Sequence, residues 1–294
     1  MLCLRAFAGV ARAPFLLLPP TLVASGAAAS AHDGSFHLAR TLLALLGLVA
    51  AHVAVNSLNE ASDFRRGIDL RTRRTPFSGG SGTLPSGLLS ARAAAVFGLS
   101  AAGIALAAGA YFIAVLGWPM VPFVAAGLVF VLGYTDFLAR IGAGEIAAGL
   151  GLGALPVLGT ALVQGGRIGP AAIAASVPAF FMTFNLLLLN EFPDEEADRA
   201  GGRRHLVILL GRRGAALVYA LAALATPVSI AAAVFARALP WPCLAAAIPS
   251  VFAARAVAWA LRSPEAPVPI SAMGGNVAWN LATNSVLALA LLGN

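Results

Sequence analysis

Long apolar stretches, separated by short polar or glycine–proline breaks, run the length of the chain. Nine can be delimited, at residues 14–31, 37–61, 89–116, 120–138, 143–163, 169–191, 214–236, 239–262 and 271–292. A helix needs about 20 residues to cross a hydrocarbon core of roughly 30 Å. Within a bilayer every backbone N–H and C=O must find a partner in the protein, which leaves helices or a closed barrel. Ala, Leu and Val follow one another here without period-two alternation, so the stretches read as helices. Breaks fall at Asp33-Gly34, Gly117-Trp118-Pro119, Gly165-Gly166, Leu239-Pro240 and Pro264-Glu265-Ala266-Pro267. Two longer polar segments stand out, at 63–88 and 192–213. The pattern predicts an all-α polytopic membrane protein with nine transmembrane helices, in one domain over residues 1–294.

Composition agrees. The chain is 60% hydrophobic and 11% charged, with a mean hydropathy of +0.87; a soluble domain of this length does not look like this. The net charge is +7 and every basic residue is arginine. With the N-terminus in the cytoplasm, Arg5, Arg12, Arg65, Arg66, Arg71, Arg73, Arg74, Arg140, Arg199, Arg203, Arg204, Arg212, Arg213 and Arg262 fall on the cytoplasmic side, against Arg40, Arg167 and Arg237 outside. The basic charge therefore reads as membrane topology, with no nucleic-acid partner. Cys3 and Cys243 share no metal-ligand spacing and form no disulfide framework. His32, His37 and His52 lack an HxxxH or HExxH partner and read as structural.

Carboxylates are scarce and clustered. Of twelve Asp and Glu, eight lie in segments 60–69 and 191–198, at the ends of apolar spans. Acids at a bilayer edge are costly and seldom incidental. The clusters read Asn59-Glu60-x-x-Asp63, with Asp69 beyond Gly67, and Asn190-Glu191-x-x-Asp194-x-x-x-Asp198. Both fall on the cytoplasmic face. Spans two and six thus end alike, a weak internal repeat whose halves could face each other across a cavity. On a helix Asn56, Asn59 and Asp63 share one face, as do Asn190, Asp194 and Asp198, with a kink or end expected at Pro193. Hard oxygen donors with open positions suit Mg²⁺ shared with substrate phosphates. The predicted metal ligands are Glu60, Asp63, Asp69, Asp194 and Asp198.

Each acidic cluster is followed by arginines. The loop Arg71-Thr72-Arg73-Arg74-Thr75-Pro76-Phe77-Ser78-Gly79-Gly80-Ser81-Gly82 joins guanidinium forks to a stretch whose backbone N–H groups can approach an anion. Arg71, Arg73, Arg74, Arg203 and Arg204, with Asn59 and Asn190, are the predicted diphosphate binders. A third block, Tyr134-Thr135-Asp136…Arg140…Gly144-Glu145, joins spans four and five beside this site. Tyr134 can hydrogen-bond a phosphate or stabilise a cation with its ring; Asp136 and Glu145 can bind metal, orient an acceptor hydroxyl or cap a helix. The same acids would also serve a transporter, and the same pocket a non-enzymatic lipid-binding protein; a transporter would place its acids near the midplane.

These three blocks, with Asn190-Glu191-Phe192-Pro193-Asp194-Glu195-Glu196-Ala197-Asp198 running into Gly202-Arg203-Arg204, resemble the UbiA superfamily of intramembrane prenyltransferases over roughly residues 10–292. Gly67-x-Asp69 and the second acidic block are most similar to the 1,4-dihydroxy-2-naphthoate polyprenyltransferases. The resemblance implies nine helices around a central cavity, two Mg²⁺ ions and a polyprenyl diphosphate. Asp63, Asp194 and Asp198 would then be metal-binding and, with Tyr134, catalytic. The reaction would be alkylation of an aromatic acceptor in menaquinone biosynthesis, with homogentisate, 4-hydroxybenzoate and a chlorophyllide as alternative acceptors. The protein would be a multi-pass component of the cell inner membrane, in contact with lipid. The family pattern also makes the segment after Arg12 a first transmembrane helix, although Ala29-Ser30-Ala31 imitates a leader cleavage site. Three positions depart from the pattern: Glu60 stands for the common Asp, Ala61-Ser62 for a pair often aromatic, and Arg203 for a frequent Lys.

Overall fold

The computed structural model describes residues 2–293; Met1 and Asn294, the ends of the predicted domain, lie outside the described residues, as do the side chains of Leu2 and Cys3. Among the described residues the chain is all helix, with no strand. A short helix α1 (Leu2–Val10), which the apolar pattern did not delimit, precedes a 3₁₀ turn at Ala13–Leu17 and helix α2 (Leu18–His32). Arg12 makes the corner between them with a left-handed φ of 51°.

Helix α3 (Leu38–Arg65) and helix α4 (Ala91–Leu116) lie against each other. Helix α4 starts where the Ser90 Oγ accepts the Ala93 N–H at 3.1 Å, an N-cap, and stops at Gly117, whose φ is 74°. A 3₁₀ turn at Trp118–Met120 leads into α5 (Val121–Leu132). The apolar pattern had carried this span to residue 138. It ends earlier because Thr135 and Asp136 leave the helix direction to bond partners on α3.

Helices α6 (Gly144–Gly149) and α7 (Leu155–Gly165) are joined by a π-helical turn at Leu150–Ala154. Pro156, next to that turn, has no N–H to keep the ordinary ladder. Helix α8 (Pro170–Glu191) is followed by a turn and the short helix α9 (Glu195–Ala200). Helix α10 (Leu206–Phe235) is broken at Gly211, with φ 69° and ψ 167°. A 3₁₀ run at Trp241–Ala253, helix α11 (Ala254–Arg262) and helix α12 (Ile270–Leu292) complete the chain.

Among the described residues, seven helical stretches are long and apolar enough to span a membrane. The other two predicted spans correspond to the shorter apolar Trp118–Leu132 and to α12. Large apolar side chains such as Leu42, Leu46, Leu99, Leu217, Leu221 and Leu224 point outward, as a lipid-facing surface requires. Inside, small residues bring helices close. Ala171, Ala172, Ala175 and Ala179 of α8 are buried with Ala28 and Ala29 of α2 and Val157 and Ala161 of α7.

Helix α12 is held by polar contacts as well. Asn276 accepts from the Tyr219 hydroxyl at 3.0 Å and donates to the Asn185 carbonyl at 3.1 Å. Asn280 donates to Thr183 at 3.3 Å, and Asn284 donates to Asn280 at 2.8 Å. Ser25 of α2 donates to the Asn284 carbonyl at 2.9 Å. These bonds tie α2, α8, α10 and α12 together where no water competes.

Candidate active site

A cavity of about 340 Å³ opens among α3, α4, α5, α7 and α8. Its deeper wall is apolar, with Leu43, Phe112, Met120, Phe123 and Phe130. Its other end carries Asn59, Asp63, Asp69, Asn190, Asp194 and Asp198. Asn56, Asn59 and Asp63, one helix turn apart on α3, all reach it. Across it, α8 ends at Glu191, just before Pro193, and the chain resumes as α9. The break does not scatter the second motif: the Asp198 N–H bonds the Asp194 carbonyl at 2.9 Å, and Asn190, Asp194 and Asp198 line the same space.

Arg203 bridges the two motifs. Its Nη2 donates to both Asp63 oxygens, at 2.6 and 2.5 Å, and to Asn59 Oδ1 at 2.8 Å. Its Nη1 lies 3.5 Å from Asp198. Burial opposes the charge, but Asp63 and Asp198 outweigh it and hold the guanidinium above its ordinary pKa. Asn59 also donates to Asp63 at 2.8 Å and accepts from Thr135 at 3.2 Å. Tyr134 lines the cavity beside them.

The loop after α3 folds over this end. Asp194 accepts from the Thr72 hydroxyl and, at 2.9 Å, from the Gly79 N–H. Ser78, Gly79 and Gly80 line the cavity. Gly80 has a φ of 70°, and a Cβ there would meet the Asp69 carboxylate at 2.8 to 3.0 Å. The glycine part of the loop thus sits as an anion cradle would. Its arginines do not: Arg71, Arg73 and Arg74 are exposed and outside the lining, and so is Arg204.

Glu60 is placed apart from the other motif acids. Its side chain is turned from the cavity, where it accepts from Arg12 at 3.0 Å and from the Ser81 N–H and hydroxyl at 2.7 and 2.8 Å. Asp136 is two-thirds exposed and pairs with Arg66 at 2.8 Å. Against the burial that would raise it, Arg66 and Ser62 hold that carboxyl below its ordinary pKa. His52 lines the cavity wall, with Nδ1 on the Leu48 carbonyl at 3.0 Å. Phe180, Phe181 and Phe184 pack with one another and with the helix core instead of lining the cavity.

Sequence reasoning placed Arg12 only as a topology marker. The structure brings it into the cavity lining and onto Glu60. Nothing in its sequence surroundings distinguishes it from the other arginines near helix ends.

The acidic end fits a hard divalent cation. Asp69 Oδ2 is buried without a hydrogen-bond partner. Burial, reinforced by Asp63 and Glu60, pushes the Asp69 carboxyl up to about 8. Burial likewise pushes Asp194 up to about 6, despite the bonds from Thr72 and Gly79. Carboxylates raised in this way lack positive charge, and oxygen donors around an open space are what Mg²⁺ takes.

Fold and site together define a class: a polytopic helical membrane protein whose buried acids face one another at the end of an apolar cavity. Residues 17–288 match the UbiA prenyltransferase family, and the chain belongs to it. A 1,4-dihydroxy-2-naphthoate octaprenyltransferase from Bacillus subtilis (strain 168) is 30% identical over 186 residues, 61% of this chain and 57% of that protein. The match therefore spans less than two thirds of the relative's length. Among solved structures, a UbiA homolog from Archaeoglobus fulgidus bound to GPP and Mg²⁺ superimposes with a TM-score of 0.62 at 17% identity, covering 98% of this chain and all of that one. A UbiA homolog from Aeropyrum pernix K1 gives 0.66 at 18% identity, covering 94% and 98%. These likenesses establish the shared helical fold.

Proposed function

We propose that this protein transfers a polyprenyl group from a prenyl diphosphate to an aromatic acceptor, 1,4-dihydroxy-2-naphthoate, in menaquinone biosynthesis. The observation that carries the reading is the meeting of Asp63, Asp69, Asp194 and Asp198 at one end of a cavity whose remainder is apolar. A diphosphate head and an isoprenoid tail need these two environments joined end to end. The positive-inside distribution of arginines supports a cytoplasmic position for that end in an inner membrane.

The four aspartates would hold Mg²⁺, with Glu60 left out because it does not line the cavity and turns to Arg12 and Ser81 instead. When bound, Mg²⁺ would supply Lewis-acid neutralisation of the departing diphosphate. Arg203 lies in the lining with its fork between the two motifs, in position to share phosphate oxygens. The Gly79 N–H holds Asp194 at the edge of this end. As the allylic C–O bond breaks, its electron pair leaves with the diphosphate, and the carbon gains cationic character beside the Tyr134 ring. The acceptor's ring carbon then forms the new C–C bond and releases its carboxylate as carbon dioxide. Apolar walls exclude the water that would otherwise quench the cation. The Bacillus relative, a 1,4-dihydroxy-2-naphthoate octaprenyltransferase, supports the naphthoate, and the Archaeoglobus structure's GPP and Mg²⁺ support the donor and the metal.

The test is an acceptor screen with purified protein, geranylgeranyl or longer diphosphates and Mg²⁺, with products identified by mass. Prenylated, decarboxylated naphthoate is expected. Product only from homogentisate, 4-hydroxybenzoate or a chlorophyllide would move the acceptor assignment. Absence of both product and diphosphate release would leave a lipid-binding protein.

A further inference from the structure

Beside the aspartate mouth lies a second group of buried donors that the prenyl-transfer reading does not use. Glu145 comes from the first turn of α6, Glu191 from the last residue of α8 and His205 from the residue preceding α10. Their exposures are 1%, 6% and 2%. Each can offer one ligand atom such that all three atoms lie within 4.8 Å of one another.

The surroundings leave this group short of partners. Glu191 Oε2 and both ring nitrogens of His205 have no hydrogen-bond partner. Glu145 accepts from the Leu206 N–H at 2.5 Å. Glu145 and Glu191 hydrogen-bond each other, and the charge of Arg203 reaches Glu191; among the described residues no arginine forms an ion pair with either glutamate, Arg203 being bound to Asp63 and Asp198. Two buried carboxylates in contact, with no ion-paired cation, are costly unless a proton or a metal ion lies between them. A divalent ion with two carboxylates and a neutral imidazole sums to no net charge, and it gives Glu191 and His205 the partner they lack.

We propose that Glu145, Glu191 and His205 form a separate cation site for a first-row divalent ion of the Mn²⁺ or Zn²⁺ type. The imidazole distinguishes it from the oxygen-only donors of the aspartate mouth, because nitrogen ligation favours transition metals over Mg²⁺. Glu191 itself lines the cavity, which gives an ion a route in. The site stands next to the mouth: His205 Nε2 is 3.4 Å from Asp198 Oδ2. An ion here would cross-link α6, α8 and the start of α10, the elements flanking Asn190, Asp194 and Arg203. Its role would be to position the second motif.

Tag-free, chelator-stripped protein loaded with a few equivalents of Mn²⁺ tests the site by pulsed electron paramagnetic resonance and by counting bound ions. A directly bound imidazole imprints nitrogen-14 coupling on Mn²⁺, which aspartate and asparagine oxygens do not. Nitrogen coupling is expected in the wild type. It is lost in His205→Ala, with one fewer bound ion, and the ion is likewise lost in Glu145→Gln. His52→Ala keeps both. Bound Mn²⁺ without nitrogen coupling in the wild type overturns the site while leaving the aspartate mouth as described. An unchanged ion count and coupling in His205→Ala overturn it too, since the coupled nitrogen would then belong to another residue. Should His205→Ala or Glu145→Gln not fold, loss of the coupling in His52→Ala would overturn the proposal, and its retention would support it.

Discussion

At the scale of single residues, the proposed reaction rests most on Asp63 and Asp194, one from each motif. Asp63→Asn and Asp194→Asn are expected to abolish prenyl transfer while leaving membrane insertion intact, as read by product mass and by extraction of the folded protein from membranes. Arg203 is the counter-charge that Asp63 and Asp198 share. Removing one partner of a buried ion pair costs about 3 kcal/mol, so Arg203→Ala should lower the thermal midpoint as well as turnover. Arg203→Lys should recover part of each, since a point charge cannot span Asn59, Asp63 and Asp198 together. The motif residues were legible because period 3.6 puts Asn56, Asn59 and Asp63 on one face. The same period rotates Glu60 by about 100° away from Asn59, and it meets Arg12 instead. The arginines were much less legible. Arg71, Arg73 and Arg74 precede the anion-facing glycines in sequence yet stay exposed, whereas Arg12 and Arg203 turn inward. Loop direction decides that, and no local pattern encodes it.

At the scale of elements, the loop between α3 and α4 is pinned at two places, by Glu60 through Ser81 and by Asp194 through Thr72 and Gly79. Gly80 lies between the pins with a left-handed φ and Asp69 against it. Gly80→Ala should lift the loop, with reduced turnover and faster tryptic cleavage at Arg71, Arg73 or Arg74; unchanged cleavage and activity would mean the loop tolerates a Cβ there. Span positions were readable from glycine and proline punctuation. Span ends were less so. Helix α5 stops at Leu132 because Thr135 and Asp136 have partners on α3, and that tertiary demand leaves no mark in hydropathy. The short α1 was missed because a helix of 9 residues falls below any spanning pattern.

At the scale of the whole molecule, the cavity joins a charged end to an apolar interior, and each half makes its own prediction. Excess EDTA should abolish product formation, and Mg²⁺ should restore it; turnover unaffected by chelator would remove the metal-dependent mechanism. In the apolar half, Gly127 lines the cavity and a Cβ there meets nothing within 4 Å. Gly127→Phe should shift the products toward shorter prenyl chains when donors of increasing length compete, as read by mass.

The asparagines of α12 bear on how such a molecule is built. Asn276, Asn280 and Asn284 have their partners on α8, α10, α2 and α12 itself. A segment carrying three amides has little reason to enter oil alone, since its side chains would arrive unsatisfied. The earlier helices must already offer Asn185, Thr183 and Tyr219 as a docking strip. Biogenesis therefore becomes ordered: α12 closes the bundle late, and a nascent chain lacking α8 would strand it at the bilayer surface, exposed to quality-control proteolysis.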